Sequence, residues 1–521
     1  MNINTSKSLA SSAGTVSAAT AFSRILGLVR EQVVAFFFGA GMATDAFVAA
    51  FRIPNLLRDL FAEGALSSAF VPVFKERIIK NGHAEAFRLA NLTISALLLI
   101  VGGVVALGII TTPAIVYATA KGFTSDPVKF MLTVNLTRIM FIYLLMVSIS
   151  AVIMGILNSV GRFGVPALSP ALFNIGMILA PLLLNEYFDM PIYTLALGVI
   201  VGGIGQLVFQ LPSLYRIGFR FRFILDFADA GIKRIIRLIS PMILGLSASR
   251  LNILISTLLA SLLAEGAMSY LNYAYRLMHF PLGVFGVAVG TVTLPKVSDD
   301  AARNDMNKLV KTFREAIGLT MFLVIPSAIY LAGYGEDLVR LIYQRGAFGP
   351  EATAETARAL YFYSIGLVGF AGVRVAAPVF YALDDARRPM FYSILSVAAN
   401  IVLNFAFIPL WGFAGLAAAN SVAGLLNLFL LVGNMRKKIS GINYLYILIP
   451  TIKIILGSIA ALLIIKAINI DYFISSGNII GKILTVGIQV VGMSLIYIVL
   501  MWLLKVDEVK KILSLLRLKR R

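Results

Sequence analysis

The sequence predicts an all-α integral membrane protein of about fourteen transmembrane helices, arranged as two pseudo-symmetric six-helix lobes followed by two additional C-terminal helices. Three observations support this fold. Of the 521 residues, 59% are hydrophobic and 13% are charged, which is about half the charged fraction of a soluble domain. Uncharged stretches of bilayer length recur along the chain. The sequence also repeats itself at an offset of about 226 residues.

The composition excludes several classes of protein. There is not enough polar surface to cover a water-soluble enzyme of this size. The chain contains no cysteine, so it has no disulfide, no thiolate metal site and no cysteine nucleophile. Its two histidines, His83 and His279, are too few to favour a histidine-based zinc or haem site, and we predict no metal site.

The helices follow one another with short connections. Runs without Lys or Arg occupy residues 89–120, 139–161, 163–185, 190–215, 316–335 and 483–504. The uncharged stretch 389–435 is long enough for two helices, which are separated by a break near Pro409 and Gly412. Helices with internal charges are predicted at about 14–38, 43–72, 231–264, 266–295, 352–383 and 445–467. These spans leave no room for a soluble domain.

The distribution of Lys and Arg predicts that both termini are cytoplasmic. One set of predicted loops carries about 28 basic residues and the alternate set about 7, and the richer set lies inside by the positive-inside rule. Most of the net charge of +20 therefore reflects topology and contact with anionic lipids rather than binding of nucleic acid. The segment 506–521 mixes basic and apolar residues, and we expect a basic amphipathic cytoplasmic tail.

The internal repeat sets the predicted domain boundaries. The sequence AFSR at 21–24 matches SASR at 247–250, and Asn174 falls on Asn400 at the same offset. Both halves begin on the cytoplasmic side, so the repeats are parallel, as in transporters. The predicted domains are an N-terminal lobe at 1–225, a C-terminal lobe at 226–440, two additional helices at 441–505 and the tail at 506–521.

Charged residues within the predicted membrane helices indicate a polar cavity. An arginine at the bilayer centre costs ~2.5–3.5 kcal/mol, so these side chains must face one another, a carboxylate or a wet cavity. The arginines concerned are Arg24, Arg30, Arg52, Arg58, Arg138, Arg250, Arg276 and Arg374. Basic residues outnumber acidic ones in this set, which indicates an anionic ligand, and the guanidinium fork suits phosphate.

Helical spacing supports the cavity. Asp45, Arg52 and Asp59 are seven residues apart and share one face of helix 2 until Pro54 bends it. Two further polar stripes occupy helices 7 and 8. They consist of Ser247, Arg250, Thr257 and Ser261, and of Ser269, Asn272, Arg276 and His279.

A purely structural role is the alternative for several of these residues. Arg24 could pair with Glu31 or with backbone carbonyls, and Arg52 could be neutralised by Asp45 or Asp59. His279 could be a neutral polar residue rather than a pH sensor. The other arginines that could be structural are Arg138, Arg250 and Arg374.

Long motifs in helices 1, 2 and 8 match a known family. They are FSRILG at 22–27, FGAGMATDAF at 38–47, PNLLR at 54–58 and RLMHFPLGV at 276–284. With these motifs the chain resembles the MurJ (MviN) lipid II flippases of the multidrug/oligosaccharidyl-lipid/polysaccharide exporter superfamily. The resemblance spans nearly the whole chain. It implies two six-helix lobes in a V and a groove for a polyprenyl tail formed by the last two helices.

The resemblance also assigns functional residues by position. It implies substrate binding at Arg24, Arg30, Arg58, Arg276, Asn55 and Ser269. It implies gating or conformational roles at Asp45 and Glu63, and we predict a conformational role for His279 as well. The chain departs from the family at two places: Asp59 follows Arg58 where some members have a second basic residue, and His279 stands where a glutamate is common.

These residues and the resemblance together predict a transporter that moves lipid II from the inner to the outer leaflet by alternating access, and not an enzyme. The first alternative is a multidrug exporter, or an exporter of another polyprenyl-linked saccharide, from the same superfamily. A drug exporter would place carboxylates rather than arginines in its cavity. The second alternative is a membrane glycosyltransferase or pyrophosphatase, for which Asp384 and Asp385 are the clearest acidic pair; we interpret that pair as a cytoplasmic turn.

The predicted partners are lipid II, with its undecaprenyl pyrophosphate, and the surrounding membrane lipids, but no nucleic acid. We expect the protein to function as a monomer in the bacterial plasma (inner) membrane. We predict no cofactor. Coupling to sodium or to the membrane potential stays open, and Asp385 is the one carboxylate considered for a sodium ligand.

Overall fold

The computed structural model describes residues 3–58, 65–436, 438–439, 442–468 and 479–509, and within these ranges the chain is almost entirely helical. The described helices, in chain order, are α1 (Ile3–Phe38), α2 (Met42–Arg58), α3 (Ala65–Thr119), α4 (Pro127–Ser159), α5 (Gly164–Leu184), α6 (Tyr193–Val208), α7 (Leu211–Arg216), α8 (Ala230–Ser261), α9 (Ala267–Pro281), α10 (Val287–Ala302), α11 (Met306–Ile342), α12 (Pro350–Ala382), α13 (Arg387–Trp411), α14 (Ala414–Met435), α15 (Leu445–Ala467) and α16 (Ile479–Leu503). A π-helical turn at Leu282–Gly286 joins α9 to α10.

The helix inventory confirms the predicted fold class. Eleven helical segments in the described ranges are long and apolar enough to cross a membrane. The long helices α1, α2 and α8 fall outside that group, and they carry the charges that the sequence analysis placed in the membrane. The eleven apolar segments and these three charged helices together equal the predicted number of fourteen.

Acidic residues define where several helices begin. The Asp126 carboxylate accepts hydrogen bonds from the backbone N–H groups of Val128 and Lys129, and Pro127 occupies the first turn of α4. Asp229 caps α8 in the same way, and Asp305 caps α11. The first N–H groups of a helix have no partner within the helix, so these carboxylates satisfy donors that would otherwise be lost.

The boundary between predicted helices 2 and 3 lies elsewhere than expected. Helix 2 is predicted to end near residue 72, whereas the first part of α3 runs helically from Ala65 to Gly82, where the backbone leaves the helical conformation (φ 79°, ψ 177°). The charges that follow residue 72 end the apolar run but not the helix. One reason is the ion pair between Glu76 and Lys80, 2.7 Å apart and one helical turn from each other, which favours helix.

The chain forms two compact units. The first contains residues 1–269 and 345–348. In it α4 packs against α2, α3 and α6, α5 packs against α1 and α6, and α3 packs against α8. One core cluster surrounds Phe70, Phe74 and Phe141, and another surrounds Tyr143 and Phe173.

The second unit contains residues 270–344 and 349–521. Here α12 packs against α11 and α14, α13 packs mainly on α14, and α15 and α16 pack on each other and on α11. The core includes Phe313, Phe380 and Tyr497. Val506 and Val509 also join it, so the start of the predicted tail packs on protein, while residues 510–521 lie outside the described residues.

The helices of the two predicted halves match one another. α4 spans residues 127–159 and α12 spans residues 350–382, so both of their ends differ by 223 positions. The packing partners correspond as well, since α4 contacts α3 and α6 while α12 contacts α11 and α14. The domain boundaries at 225, 440 and 505 stay a prediction.

Candidate functional site

Arg30 is fixed within the first unit. Its Nη2 and Nε donate to Glu31 Oε1 at 2.6 and 3.2 Å, and its Nη1 donates to Asn174 Oδ1 at 2.9 Å. The Asn174 amide in turn donates to the backbone carbonyl of Ser23, 3.0 Å away. The guanidinium also lies 5.8 Å from the centre of the Phe173 ring. These contacts tie α1 to α5 and hold the charge of Arg30 in one place.

Arg24 differs from Arg30 although both lie on α1. Its side chain is exposed, and no hydrogen bond or ion pair joins it to another part of the chain that the structure describes. The alternative in which Arg24 pairs with Glu31 is therefore wrong, because Glu31 pairs with the neighbouring Arg30. The Arg24 guanidinium keeps its donors for another group.

Asp45, the one carboxylate of α2, accepts hydrogen bonds at both of its oxygens. It is 1% exposed. Its Oδ1 accepts from the Ser269 backbone N–H at 2.9 Å and from the Ser269 hydroxyl at 2.7 Å. Its Oδ2 accepts from the Gly266 N–H at 2.8 Å and from Lys129 Nζ at 3.0 Å. Asp45 thus caps the N-terminus of α9 from another helix, and Lys129 neutralises it.

Arg52 does not pair with Asp45, so the interpretation of Asp45 as its neutralising partner is wrong. Arg52 Nη1 donates instead to Thr257 Oγ1 on α8, 2.6 Å away. Ser261, one turn further on, accepts from the backbone N–H of Gly122 at 3.1 Å. These two members of the predicted helix-7 stripe therefore bond to the first half of the chain. Asp59, the other proposed partner of Arg52, lies outside the described residues.

A second carboxylate caps a helix N-terminus next to Asp45. Glu265 Oε1 accepts from the backbone N–H of Met42, 2.8 Å away, at the start of α2. Each of the two helix N-termini, of α2 and of α9, is thus capped by a carboxylate from the other segment. A helix N-terminus carries partial positive charge, so each carboxylate is stabilised by the terminus that it caps.

Two loops cross beside these caps. The Ala347 backbone N–H donates to the Phe36 carbonyl at 2.8 Å. Gly39 and Gly346 both adopt positive φ, at 59° and 56°. A Cβ on Gly39 would collide with the Ala347 carbonyl oxygen, and a Cβ on Gly346 with that of Phe36. Only glycine allows the two backbones to approach so closely.

The end of α2 carries two of the remaining predicted residues. Asn55 and Arg58 are half-buried. Arg58 is the last residue of the described helix. Glu63 lies outside the described residues, so its predicted gating role rests on the sequence alone.

The second unit contains its own basic group. Arg276 on α9 is exposed, and His279 is partly buried one turn further on. The His279 Nδ1 lies 3.0 Å from the Tyr275 carbonyl, and the two rings are 4.0 Å apart. Arg276 and Arg374 are the charged neighbours of His279. Arg374 is exposed on α12. Because it lies near His279, it belongs to the same group of side chains.

Asp385 has basic partners rather than a second carboxylate. Its Oδ2 lies 3.2 Å from Lys438 Nζ and 3.4 Å from Arg388 Nε. Burial raises the pKa of Asp385, but the hydrogen bonds from Lys438 and from the Arg388 backbone outweigh it, so the pKa lies below its ordinary value. Asp384 takes a positive φ of 55° in the turn between α12 and α13. This geometry favours the turn over a catalytic acidic pair. No group of three or more metal-ligating side chains occurs among the residues that the structure describes.

Three contacts of the structure lie outside the sequence prediction: Lys129 with Asp45, Asn174 with Arg30, and Glu265 with Met42. Lys129 had a signal, since it is a basic residue at the start of a long apolar helix on the side that is poor in Lys and Arg. Asn174 was noted only as a repeat position. Nothing in the local spacing connects Glu265 with Met42, 223 positions away.

Two similarly connected sets of helices, with arginines placed inside apolar segments, define a multi-pass membrane transporter. A family model described as lipid II flippase MurJ matches residues 34–506. The lipid II flippase MurJ of Burkholderia cenocepacia is 37% identical over 428 residues, which is 81% of this chain and 83% of the relative. A probable lipid II flippase MurJ of Buchnera aphidicola is 33% identical over 474 residues, with 88% and 91% coverage. The chain belongs to the MurJ family of lipid II flippases.

Solved structures agree with this assignment. A structure of lipid II flippase MurJ in an inward closed conformation is 26% identical, with a TM-score of 0.79, and covers 94% of this chain and 99% of that one. An inward-facing multidrug resistance transporter of the MATE family has a TM-score of 0.64 at 14% identity, covering 80% and 96%, and this likeness concerns the fold alone. As a member of a flippase family, the chain is a transporter rather than a catalyst of a chemical reaction.

Proposed function

We propose that the protein moves lipid II from the inner to the outer leaflet of the bacterial plasma membrane by alternating access. The observation that carries this proposal is the exposed guanidinium of Arg24 beside the bonded Arg30 on a membrane helix. An exposed arginine within a membrane span requires an anion or water. The named activity of the relatives supports lipid II as the source of that anion.

In this proposal the arginines bind the pyrophosphate. Arg24 and Arg276 offer exposed forks, which suit bidentate contact with phosphate oxygens. Arg30 and Arg58 add positive charge from half-buried positions, and Asn55 and Ser269 complete the predicted polar set. Arg30 is partly neutralised by Glu31, so its contribution includes orienting the end of α1 as well as attracting the anion.

Asp45 is the proposed gating residue. Three of its hydrogen bonds join the start of α9 to α2, and the fourth joins Lys129 of α4 to α2, at the end that the Lys and Arg distribution assigns to the outside. Ser269 is fully buried in this contact, so it reaches substrate only after the contact opens. Glu63 and His279 keep their predicted conformational roles.

Orientation and partners belong to the same proposal. Both termini lie in the cytoplasm. The most apolar stretches of α15 and α16 are only 22% buried within the protein, and these two helices provide a lipid-facing groove for the polyprenyl tail. The protein works as a monomer among membrane lipids, with no cofactor and no nucleic acid. Coupling to an ion or to the membrane potential has no assigned site.

The contacts of the carboxylates argue against the drug-exporter alternative. Such a transporter needs carboxylates that are available to a cation. Glu31 is occupied by Arg30, and Asp45 is occupied by Lys129 and by the start of α9. Neither carboxylate is therefore available to a cationic drug at these two places.

The test is a lipid II translocation assay in proteoliposomes, combined with rescue of cells depleted of their native flippase. Arg24→Ala should abolish translocation without lowering thermal stability, because Arg24 has no partner in the described part of the chain. Arg24→Lys should keep partial activity, since it retains charge but loses the fork. Arg162→Ala is the matched control. Arg162 is also an exposed arginine, but it lies in a loop on the predicted cytoplasmic side rather than within a membrane helix. Full translocation by Arg24→Ala would remove this residue from the binding site.

A further inference from the structure

The connection between α7 and α8 contains an extended segment with an alternating sequence. Residues 219–226 have neither helix nor turn. Aromatic or aliphatic residues occupy the odd positions, and charged residues occupy three of the four even positions from 220 to 226. Successive side chains of an extended backbone point to opposite sides, so this order separates apolar from charged side chains. We call residues 219–227 the amphipathic strand.

Side chains of α3 hold the amphipathic strand in register. The Asn91 amide donates to the Arg220 carbonyl at 3.2 Å, and its oxygen accepts from the Arg222 N–H at 3.0 Å. Ser95 accepts from the Ile224 N–H at 3.1 Å. Asn91 and Ser95 are one helical turn apart. Their side chains make the hydrogen bonds to the backbone that a neighbouring β-strand would otherwise make. Phe219 is buried and meets the Phe87 ring edge to face, with centroids 5.6 Å apart.

Beyond Phe219 the apolar side of the amphipathic strand is uncovered. Its four apolar side chains are between 42% and 60% exposed, and they are Phe221, Phe223, Leu225 and Phe227. The basic side chains are exposed as well. Arg220 lies 5.3 Å from the centre of the Tyr215 ring, and Arg222 follows it two positions on. Four large apolar groups in one row are unfavourable in water.

The level of the amphipathic strand on α3 places it at the edge of the hydrocarbon region. Arg88, one turn before Asn91, lies 3.7 Å from Asp226 and 3.8 Å from Asp229, so a layer of charges lies on one side. On the other side, α3 continues from residue 89 to 119 without a charged residue. The strand thus lies where charged headgroups give way to acyl chains.

We propose that the amphipathic strand binds anionic phospholipid at the membrane surface, with the four apolar side chains among the acyl chains and Arg220 and Arg222 on the phosphates. Its membrane side is the cytoplasmic leaflet under the predicted orientation. A loop that only fixes topology needs positive charge, and it does not need a continuous apolar row. Alternating apolar and positively charged side chains fit a lipid interface, which offers acyl chains and phosphates side by side. The proposal does not depend on which lipid the protein transports.

Immersion of the apolar row is tested with a single tryptophan. Both native tryptophans are replaced (Trp411→Phe and Trp502→Phe) and Phe223→Trp is added. The full chain is reconstituted in vesicles of equal parts phosphatidylcholine and phosphatidylglycerol with acyl chains brominated near the headgroup. We expect strong quenching of the emission. Asn81→Trp is the control, since Asn81 is exposed on α3 between the charged Lys80 and the Gly82 break, and its emission should be unquenched.

The phosphate contact is tested by changing the headgroup. Phosphatidylglycerol should raise the thermal stability of the wild type relative to phosphatidylcholine alone. Arg220→Gln combined with Arg222→Gln should lose most of that rise while the protein stays folded. The control removes the same charge elsewhere, with Arg162→Gln and Arg303→Gln, which are both exposed, and it should keep the rise. Inorganic phosphate should not replace the lipid.

Three results would overturn the proposal. The first is unquenched emission from Phe223→Trp in a folded protein, which would place the row in water or against a protein partner. The second is quenching that bromolipid and a soluble quencher produce equally. The third is an equal response to phosphatidylglycerol in the Arg220/Arg222 variant and in its control, because the charge would then act only through the total net charge.

Discussion

The fifth helices of the two halves, α5 and α13, carry asparagines at matching positions and use them differently. In the first unit Asn174 accepts from Arg30 and donates to the Ser23 carbonyl, at 2.9 and 3.0 Å. In the second unit Asn400 accepts from Asn404 on its own helix, at 3.3 Å. The buried Nδ2 of Asn400 has no hydrogen-bond partner among the described residues.

This difference shows that a duplicated fold preserves helix positions while its polar contacts diverge. Asn174 connects two helices and an ion pair, so its amide sets the geometry of a charged group. Asn400 and Asn404 form a neutral pair, and neither is more than 1% exposed. The first unit thus uses buried charge at its polar positions, and α13 uses neutral amides. Because buried charge is far more costly to leave unpaired, substitutions should affect the two units unequally.

The largest loss of stability is expected for Asp45→Ala. This change leaves the buried Lys129 ammonium without its carboxylate and removes the cap of α9, and breaking a buried ion pair typically costs about 3–5 kcal/mol. The measurement is the apparent unfolding free energy in detergent. Adding Lys129→Met should restore part of the loss. If the double variant is as unstable as the sum of the single ones, the pair is not the source of the effect.

Asn174→Ala should have the next largest effect. It removes one acceptor from Arg30 and one donor from the Ser23 carbonyl, and an unsatisfied buried group costs about 1–3 kcal/mol. Thermal unfolding of purified protein measures the change. In the Arg30→Ala background the effect of Asn174→Ala should shrink, because one of the two contacts is already gone. An unchanged effect would mean that Asn174 acts mainly through α1 packing.

Replacing the neutral pair of α13 should change little. Asn400→Leu with Asn404→Leu removes an amide donor and an amide oxygen that lack partners in the described residues, and such paired replacement is often close to neutral, within about 1 kcal/mol. The same unfolding assay tests this expectation. A loss as large as that of Asn174→Ala would contradict the proposed contrast between the units.

The smallest expected effect is the loss of stability at acidic pH when the Asp229 carboxylate becomes protonated. Burial raises the pKa of Asp229, but hydrogen bonds from Arg77 and from the first N–H groups of α8 outweigh it, so the pKa lies below the ordinary value of 3.8. A carboxyl group with a lowered pKa in the folded state stabilises the protein above its unfolded pKa and loses this contribution as pH falls through the folded one. The stability difference between wild type and Asp229→Asn should therefore shrink below pH about 3.8. An equal difference at neutral and acidic pH would contradict this assignment.

Hydropathy was sufficient to predict the fold because each membrane helix must bury its own backbone hydrogen bonds within one continuous apolar segment. The prediction was wrong where that rule does not apply. Beyond residue 72, α3 leaves the apolar run but remains helical up to Gly82. The arginines of α1 were found as candidates because charge is rare inside an apolar run, although their partners were not.

The partners were missed because spacing along one helix compares only residues a few turns apart. That comparison suggested Asp45 with Arg52. The actual partners of Asp45 are Lys129 on α4 and Gly266 and Ser269 at the start of α9. These contacts join segments 84 to 224 positions apart, and only the packing of the helices brings them together. Arg30 and Glu31 also escaped notice as a pair because adjacent residues on a helix point in different directions.

The close approach of the backbones at Gly39 and Gly346 has a practical consequence for substitutions at these two positions. A methyl group at either position acts as a wedge, because it meets a carbonyl oxygen of the opposite loop, and the positive φ of both residues adds backbone strain. The wedge raises the energy of this loop arrangement and leaves any state in which the loops separate free of the collision. Gly39→Ala should therefore destabilise this arrangement of the two loops, and the thermal stability of the purified variant measures the effect.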